Sequence, residues 1–545
     1  TFTTLPAAAQ PRGRSQANSA SAPAAPAAPA DDDGDGPEAK AVATFRLNDI
    51  INVAVRLSPE LARAVTSRDA ARQDAIAATK DQSWRLTASA NVEVDALGAD
   101  TPSDAIAPLT PLSTQKISGS LGLGRKLPTG GEIGVGVSLT GQHQELNVTG
   151  EALAQQPAPM QLQSQCGEKA DVFCQVQASA SVTFKQPLLK GLGSDVALAG
   201  EHKAEIAAAK ATVESQLAAE KMILDLVTAY WELANASYEV DVRAEALDLA
   251  RKQEQLTRQE IRSGTSEANS LDAVTYEIAV REEALLTAKL QFEQKSLDLR
   301  RKAGLEIGRR DIVVRPADPL ELDAQEDWSI DPILAQSHKI NRQLTTIVLD
   351  KKTADIEVDV TRNATLPQVD LSLQGALLAT GDTTADAFDG LSGNSNSGGF
   401  GYQVMAGLTM SFELSGAAKA AHAAAVSRRH LLDIQRVDKE RELDAQVVSQ
   451  VKAVMSDRTR VALADKAIAI AENNVKAERA KFLAHAPNST NFQVMQVQTK
   501  LIEARLRRGQ AVAAYRTAVA QLQFLSGTLL DTYRIHVRAR GGAAE

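Results

Sequence analysis

Two very long stretches without proline limit what this chain can fold into. The first runs from about residue 192 to residue 262, and apolar residues recur along it at intervals of seven. These residues are Leu226, Leu233, Val240, Leu247 and Ile261, and the series is broken only by Glu254. Such spacing predicts a helix with a heptad seam, and at 1.5 Å per residue this helix would be about 105 Å long. Because no single globular core buries a rod of that length, we expect an elongated protein.

The long helical pattern occurs twice. A break at residues 263–266 precedes a return helix expected at about 269–303. A second long helix begins near residue 416, breaks at 483–489 and returns at about 491–525. Its seven-residue seam consists of Val447, Val454, Val461, Ile468, Val475 and Phe482. Two helical hairpins in one chain indicate an internal repeat.

Six segments between the helices alternate apolar and polar residues, which is typical of strands with one apolar and one polar face. They are 86–94, 117–123, 133–139, 176–184, 369–377 and 402–412. Their lengths approach that of a tilted transmembrane strand, about 9 to 11 residues. The connections at 96–115, 143–174 and 379–399 are long and polar, whereas 126–131 is short and turn-like. If both helical hairpins lie on one side of the sheet, strand direction places every long loop on the other side.

The composition argues against several functions. The net charge is −9 and no basic stripe is present, which argues against nucleic-acid binding. No run of 18 apolar residues occurs, so we expect no membrane-spanning helix. The seven histidines are dispersed, and residues 191–193 (Gly-Leu-Gly) lack the rest of a phosphate-binding loop. We therefore expect no enzyme activity, no cofactor and no metal site.

The only two cysteines, Cys166 and Cys174, lie close together in a polar segment. We predict that they form a disulfide in an oxidising compartment. The alternative is a pair of unrelated free thiols.

The two halves of the chain align without gaps at an offset of 283 residues, which pairs Leu61 with Leu344 and Trp84 with Pro367. We expect a signal-peptide remnant or low-complexity start, and then a disordered tether, within residues 1–44. The first repeat spans 45–304, an irregular connector 305–330, the second repeat 331–530 and a polar tail 531–545. Each repeat has a helix, then strands (85–186 and 368–413), then a long hairpin (191–304 and 416–527).

In this duplicated order, the segments resemble the TolC-like outer-membrane efflux proteins, or outer membrane factors, over about residues 45–530. The resemblance rests on short marks at the junctions of helices and strands. They are Leu61 before the first strand, 186–191 (Gln-Pro-Leu-Leu-Lys-Gly), 262–265 (Arg-Ser-Gly-Thr), 303–304 (Ala-Gly) and 412–416 (Phe-Glu-Leu-Ser-Gly).

The resemblance implies an α+β membrane protein: a homotrimer with a shared transmembrane β-barrel of four or six strands per chain. A long periplasmic α-helical barrel of two repeated hairpins would continue it. Family members usually contribute four strands. The extra pair at 117–139 would give eighteen strands per trimer, or would form an extracellular hairpin above a twelve-stranded barrel.

For function, the resemblance implies an exit duct in the outer membrane of a Gram-negative bacterium, extending into the periplasm. It would contact outer-membrane lipid, a periplasmic adaptor and an inner-membrane pump of the RND or ABC type, for drug or solute efflux or type I secretion. The alternatives are a periplasmic adaptor, which normally has one hairpin, and a coiled-coil scaffold, which would not need the six alternating segments.

The resemblance also places a periplasmic tip and gate at the hairpin ends, around 263–270 and 483–496. The candidate residues are Ser263, Gly264, Thr265, Asn269, Asp272, Phe482 and Gln496. Where the family often has a ring of aspartates, Gln496 follows Val494-Met495, and neutral amides would bind cations less well than carboxylates. Asp272 is the nearest acidic candidate for the lumen; its alternative is a solvated helix face.

Overall fold

The computed structural model describes residues 41–96, 111–146, 172–263, 269–305, 312–322, 328–381, 383–393, 399–484 and 490–535. The helices of eight or more residues are α1 (Leu47–Leu57), α2 (Pro59–Thr79), α3 (Ala199–Arg262), α4 (Asn269–Lys302), α5 (Ile330–Ile340), α6 (Arg342–Ala364), α7 (Thr384–Leu391), α8 (Ala417–Leu483) and α9 (Asn491–Leu525). The strands are β1 (Ala41–Phe45), β2 (Arg85–Ala96), β3 (Pro111–Lys126), β4 (Glu132–Leu146), β5 (Val172–Pro187), β6 (Ile312–Pro316), β7 (Gln368–Gly381) and β8 (Gly399–Ser411).

The long helices form one layer with two tiers. In the tier next to the sheet the order is α2–α3–α6–α8, and in the distal tier it is α4–α3–α9–α8. Helices α3 and α8 run through both tiers, and α3 alone has 64 residues, about 96 Å of helix. The predicted rods and hairpins are confirmed. Among the described residues, none of the helices combines the length and apolar character needed to cross a bilayer.

The heptad seams form the interior of this helical layer. Leu226 and Leu233 on α3 are completely buried, as are Val447, Val454 and Val461 on α8. Val447 and Val454 pack in one cluster with Leu522 and Leu525 of the return helix α9. Burying these side chains stabilises each hairpin, because a fully buried aliphatic side chain contributes about 1.5–3 kcal/mol.

Both repeats contain a helix break that the sequence analysis did not predict. The single helix expected at the start of each repeat is interrupted, at Ser58 in the first repeat and at Asn341 in the second, and these two residues are 283 positions apart. Each of these residues caps the following helix: Ser58 Oγ accepts a hydrogen bond from Leu61 N, and Asn341 Oδ1 accepts one from Leu344 N. A serine or asparagine at a helix start is a recognised capping signal. The two repeats therefore have their helix caps at equivalent positions.

Matching glycines end the two hairpins. Gly304 follows α4 with φ +71°, and Gly527 follows α9 with φ +73°. A Cβ on Gly304 would stand 2.7 Å from the carbonyl oxygen of Leu57, while Gly527 packs on Ile340. Leu57 and Ile340 are themselves 283 residues apart, so both hairpins close on equivalent helix ends.

All six predicted strands lie in one antiparallel sheet with the order β2-β3-β4-β5-β7-β8. The connector predicted to be irregular contains β6, which pairs in parallel with β1 of the N-terminal segment. The sequence did not predict β6, because a strand of five residues without clear alternation gives no periodic signal. The polar loop predicted at 379–399 contains α7, which packs on β7 and β5.

Candidate functional site

One face of the six-stranded sheet is apolar across every strand. A single row of paired residues runs from edge to edge: Ala88, Leu121, Val137, Ala180, Leu377 and Tyr402. Leu121 is 59% exposed and Tyr402 is 78% exposed. At the loop end α7 lies against this face, where a Cβ on Gly381 would stand 2.7 Å from Ala387 N. An exposed apolar surface of this extent is typical of contact with lipid or with another protein.

The opposite face of the sheet is polar. The neighbouring row contains Ser89, Ser120, Ser138 and Ser179, whose hydroxyls hydrogen-bond in pairs at 2.8 Å (Ser89 to Ser120) and 2.7 Å (Ser138 to Ser179). Charges on this face pair across strands, as Lys185 does with Asp370 at 3.5 Å. This face is suited to water, as the apolar face is suited to lipid.

The turn between β3 and β4 lies at the helical end of the sheet. Leu127 N donates to Gly131 O at 2.7 Å, and Thr129 Oγ1 donates to Gln186 Oε1 at 2.9 Å. Gly193 N, just before the long helix α3, donates to Thr129 O at 3.3 Å. The β3–β4 hairpin therefore spans the full height of the sheet. Its strands are part of the sheet. They do not form a separate hairpin on the loop side, which was the second possibility given for residues 117–139.

Both layers are open at their sides. Among the residues that the structure describes, strands β2 and β8 each have one neighbour in the sheet. The outer helices α4 and α8 expose large apolar side chains, among them Tyr276, Leu286 and Leu290 on α4 and Met455, Leu463 and Ile470 on α8. In the described part of a single chain, these backbone edges and helix flanks have no partner.

The tip residues predicted from the sequence lie near the ends of four different helices, α3, α4, α8 and α9. Ser263 ends α3, is exposed and donates its hydroxyl hydrogen bond to Glu260 O at 2.9 Å. Asp272 and Gln496 are also exposed, whereas Phe482 is buried. Asn269 is the first residue of α4. Gly264 and Thr265 lie outside the described residues.

A buried polar group that the sequence analysis missed joins the two hairpins near their tips. This tip cluster consists of Gln253 and Thr257 of α3 with Asn491 of α9. Gln253 Nε2 donates to Asn491 Oδ1, and Asn491 Nδ2 donates to Thr257 Oγ1 at 2.9 Å. Seven residues further along α9, Gln498 Oε1 is also buried and has no hydrogen-bond partner in the described part of the chain. One signal in the sequence could have revealed the tip cluster: Gln253 and Asn491 are polar residues at inward-facing helix positions, where apolar residues are usual.

The tip cluster makes the contact between α3 and α9 dependent on Asn491. Replacing Asn491 by alanine removes both hydrogen bonds and leaves buried polar groups unpaired, which costs about 2 kcal/mol. We expect backbone amides around residues 253–262 to exchange with solvent about 30-fold faster, because about 1.4 kcal/mol corresponds to a factor of ten. Hydrogen-exchange mass spectrometry measures this.

The control for the Asn491→Ala variant is Gln496→Ala at the exposed tip position. This substitution should leave amide exchange unchanged. Equal exchange rates in the two variants would show that the tip cluster does not hold the helices together.

Cys174 lies on β5 directly opposite His143 of β4, with His143 Nδ1 3.0 Å from Cys174 Sγ. Cys174 is disulfide-bonded. Its predicted partner, Cys166, lies outside the described residues. Within the described ranges, no group of three or more potential metal ligands occurs.

An ion pair is buried where α3, α6 and the end of α9 meet. Arg342 Nη1 of α6 contacts Glu220 Oε1 of α3 and also donates to Gly527 O at 3.3 Å. The Glu220 side chain is 2% exposed and that of Arg342 is 14% exposed. Desolvation raises the pKa of Glu220 to about 7, although Arg342 acts in the opposite direction. This pair connects α3 of the first repeat with α6 of the second repeat.

Comparisons with known proteins place the fold. No protein-family model and no curated protein sequence matches the chain. The structure is similar to the outer membrane protein VceC of Vibrio cholerae, with 15% identity and a TM-score of 0.61 over 88% of this chain and 96% of VceC. It is also similar to the Campylobacter jejuni CmeC outer membrane channel, with 11% identity and a TM-score of 0.61 over 89% of this chain and 86% of CmeC.

A third similar structure is the open state of the Neisseria gonorrhoeae MtrE outer membrane channel, with 12% identity and a TM-score of 0.60 over 89% of each chain. Each likeness covers 88–89% of this chain, which is more than either repeat alone. The chain therefore has the fold of the TolC-like outer-membrane channels, which confirms at the level of fold the resemblance found in its sequence.

Proposed function

We propose that this chain is one of three subunits of an exit duct in the outer membrane of a Gram-negative bacterium. The sheets would join into a transmembrane barrel, and the helical layers would join into a tube through the periplasm. Substrates would reach the tube from an inner-membrane pump of the RND or ABC type through a periplasmic adaptor. The proposal gives the chain no catalytic role, because the pump supplies the energy.

The observation that carries this proposal is the sheet with one apolar and one polar face. In lipid, every backbone N–H and C=O needs an internal partner, and each unsatisfied group costs several kcal/mol. The free edges of β2 and β8 therefore need partner strands, which further copies of the chain can supply. The exposed apolar side chains of α4 and α8 would become helix contacts between the same copies.

The tip cluster supports a closed state held at the hairpin ends. A contact made by hydrogen bonds can exchange them for bonds to water when the helices move apart, so it separates more readily than a packed apolar seam. An adaptor that binds the tips better when they are apart would shift the population towards the open state. Ser263, Asp272 and Gln496 are exposed, so they are the described tip residues available for such contacts.

A periplasmic adaptor or coiled-coil scaffold fits less well. Neither would require six strands in one sheet with an apolar face left exposed. Either protein, without an anchor, would stay in solution when detergent is removed.

The test is to cross-link proteins in cells that contain a tagged copy of the chain, purify the complex in detergent and identify its partners by mass spectrometry. We expect an adaptor and an inner-membrane pump, and the pump would also indicate the class of substrate. Recovery of the chain without detergent, or from the outer membrane with no inner-membrane partner, would contradict the proposed function.

A further inference from the structure

The sheet contains more strands than the adjoining helical tier contains helices. Four chain segments pass between them: α2 leads to β2, β5 to α3, α6 to β7, and β8 to α8. Helices α2 and α3 pack side by side, yet β2 and β5 are separated by β3 and β4. The β3–β4 hairpin leads into no helix of the adjoining tier. It therefore widens the sheet without widening the helical layer.

The added hairpin brings the two layers to the same width. Strands about 4.8 Å apart and tilted by about 40° each occupy roughly 6.3 Å of a barrel's circumference. Six strands then occupy about 38 Å, and four helices spaced about 9.5 Å apart also occupy about 38 Å. Without β3 and β4 the four remaining strands would occupy only about 25 Å.

We propose that three copies of the chain close an eighteen-stranded barrel as wide as the helical tube below it. This inference rests on the proposed function, because the assembly of three copies is part of that proposal. The outer-membrane segment is then not the narrowest part of the path, and it admits polymeric cargo such as an unfolded polypeptide.

The two edges of the sheet are compatible with this closure. β2 runs away from the helices and β8 runs towards them, so β8 of one copy lies antiparallel to β2 of the next copy. Ala88 of β2 and Tyr402 of β8 belong to the same apolar row. An even number of strands per chain keeps this alternation around the ring, and the apolar face stays on one side throughout.

The hairpin can be removed without changing the direction or the facing of the remaining strands. Deleting residues 111–146 leaves β2 and β5 antiparallel. Leu86 of β2 and Val182 of β5 are already on the same face, because both belong to the row that contains Leu123 and Val135. The deletion therefore creates a four-strand subunit as a matched variant.

The experiment is cryo-electron microscopy of the full chain and of the 111–146 deletion variant, each purified in lipid nanodiscs. For the full chain we expect eighteen strands and a barrel about 36 Å across between backbones, compared with about 24 Å for the variant. This is a 1.5-fold difference in diameter. A full-chain trimer with twelve strands and β3–β4 outside the barrel would overturn the inference and leave the exit duct intact. Absence of a trimer would overturn the proposed function itself.

A second pair of variants keeps the inference testable if the deletion variant does not fold. Leu121 and Ser120 are neighbours on β3 and point to opposite faces. If β3 is a barrel strand, Leu121→Arg places a charge in lipid, and the amount of assembled trimer should fall at least tenfold, whereas Ser120→Arg should assemble. Equal assembly of the two variants would show that β3 lies outside the membrane.

Discussion

Replacing Val182 by arginine should prevent the protein from assembling in the outer membrane. Val182 is exposed on the apolar face of β5, one of the strands that leads directly into a long helix. An arginine on the lipid face near the middle of a barrel costs about 2–4 kcal/mol per strand, and three copies would add this cost three times. The measurement is the amount of heat-modifiable trimer in isolated outer membranes.

The adjacent Ser181 provides the control for the Val182→Arg variant. Ser181 lies on the polar face, one residue along the same strand, so Ser181→Arg would place its charge in the water-filled lumen. We expect this variant to assemble at wild-type levels. If Ser181→Arg failed and Val182→Arg assembled, the assignment of the two faces would be reversed.

Replacing Arg342 by methionine should destabilise the helical layer by about 3–5 kcal/mol, because it leaves Glu220 buried without its cation. The loss should be largest above pH 7, where Glu220 is ionised. Replacing both residues by methionine should restore most of the stability, since no buried charge then remains. The measurement is denaturant unfolding of the detergent-solubilised protein. A single variant as stable as the double variant would contradict this account of the pair.

The same pair predicts how stability depends on pH. The pKa of Glu220 is raised from 4.5 to about 7, so the folded state binds a proton more tightly than the unfolded state does. Its contribution to stability is therefore complete below about pH 4.5 and is lost as the pH rises towards 7. Glu220→Gln should remove this dependence. An unchanged slope in that variant would assign the pH dependence to another group.

Much of the fold could be predicted from the sequence because its main elements are long and periodic. Seven-residue spacing located the hairpins, and two-residue alternation located all six strands, including β3 and β4. The breaks at Ser58 and Asn341 were missed because a cap interrupts a helix without disturbing the apolar pattern on either side. Both carry recognisable capping residues, and comparing the two repeats could have revealed them.

The candidate site was harder to predict. The residues proposed for the tip came from the family resemblance, and those that the structure describes are mostly exposed. The tip cluster depends on Gln253 and Asn491 meeting across two hairpins, 238 residues apart in the chain. No local sequence pattern predicts a contact between residues so far apart in the chain. Only the packing of α3 against α9 brings these side chains together.

One copy of the chain leaves its described sheet edges and helix flanks open, and we propose that three copies close them. Native mass spectrometry of the purified protein in detergent tests this claim most directly. We predict a complex of three 57.9 kDa chains that requires detergent to remain in solution. A folded single chain that is stable in water without detergent would contradict the claim.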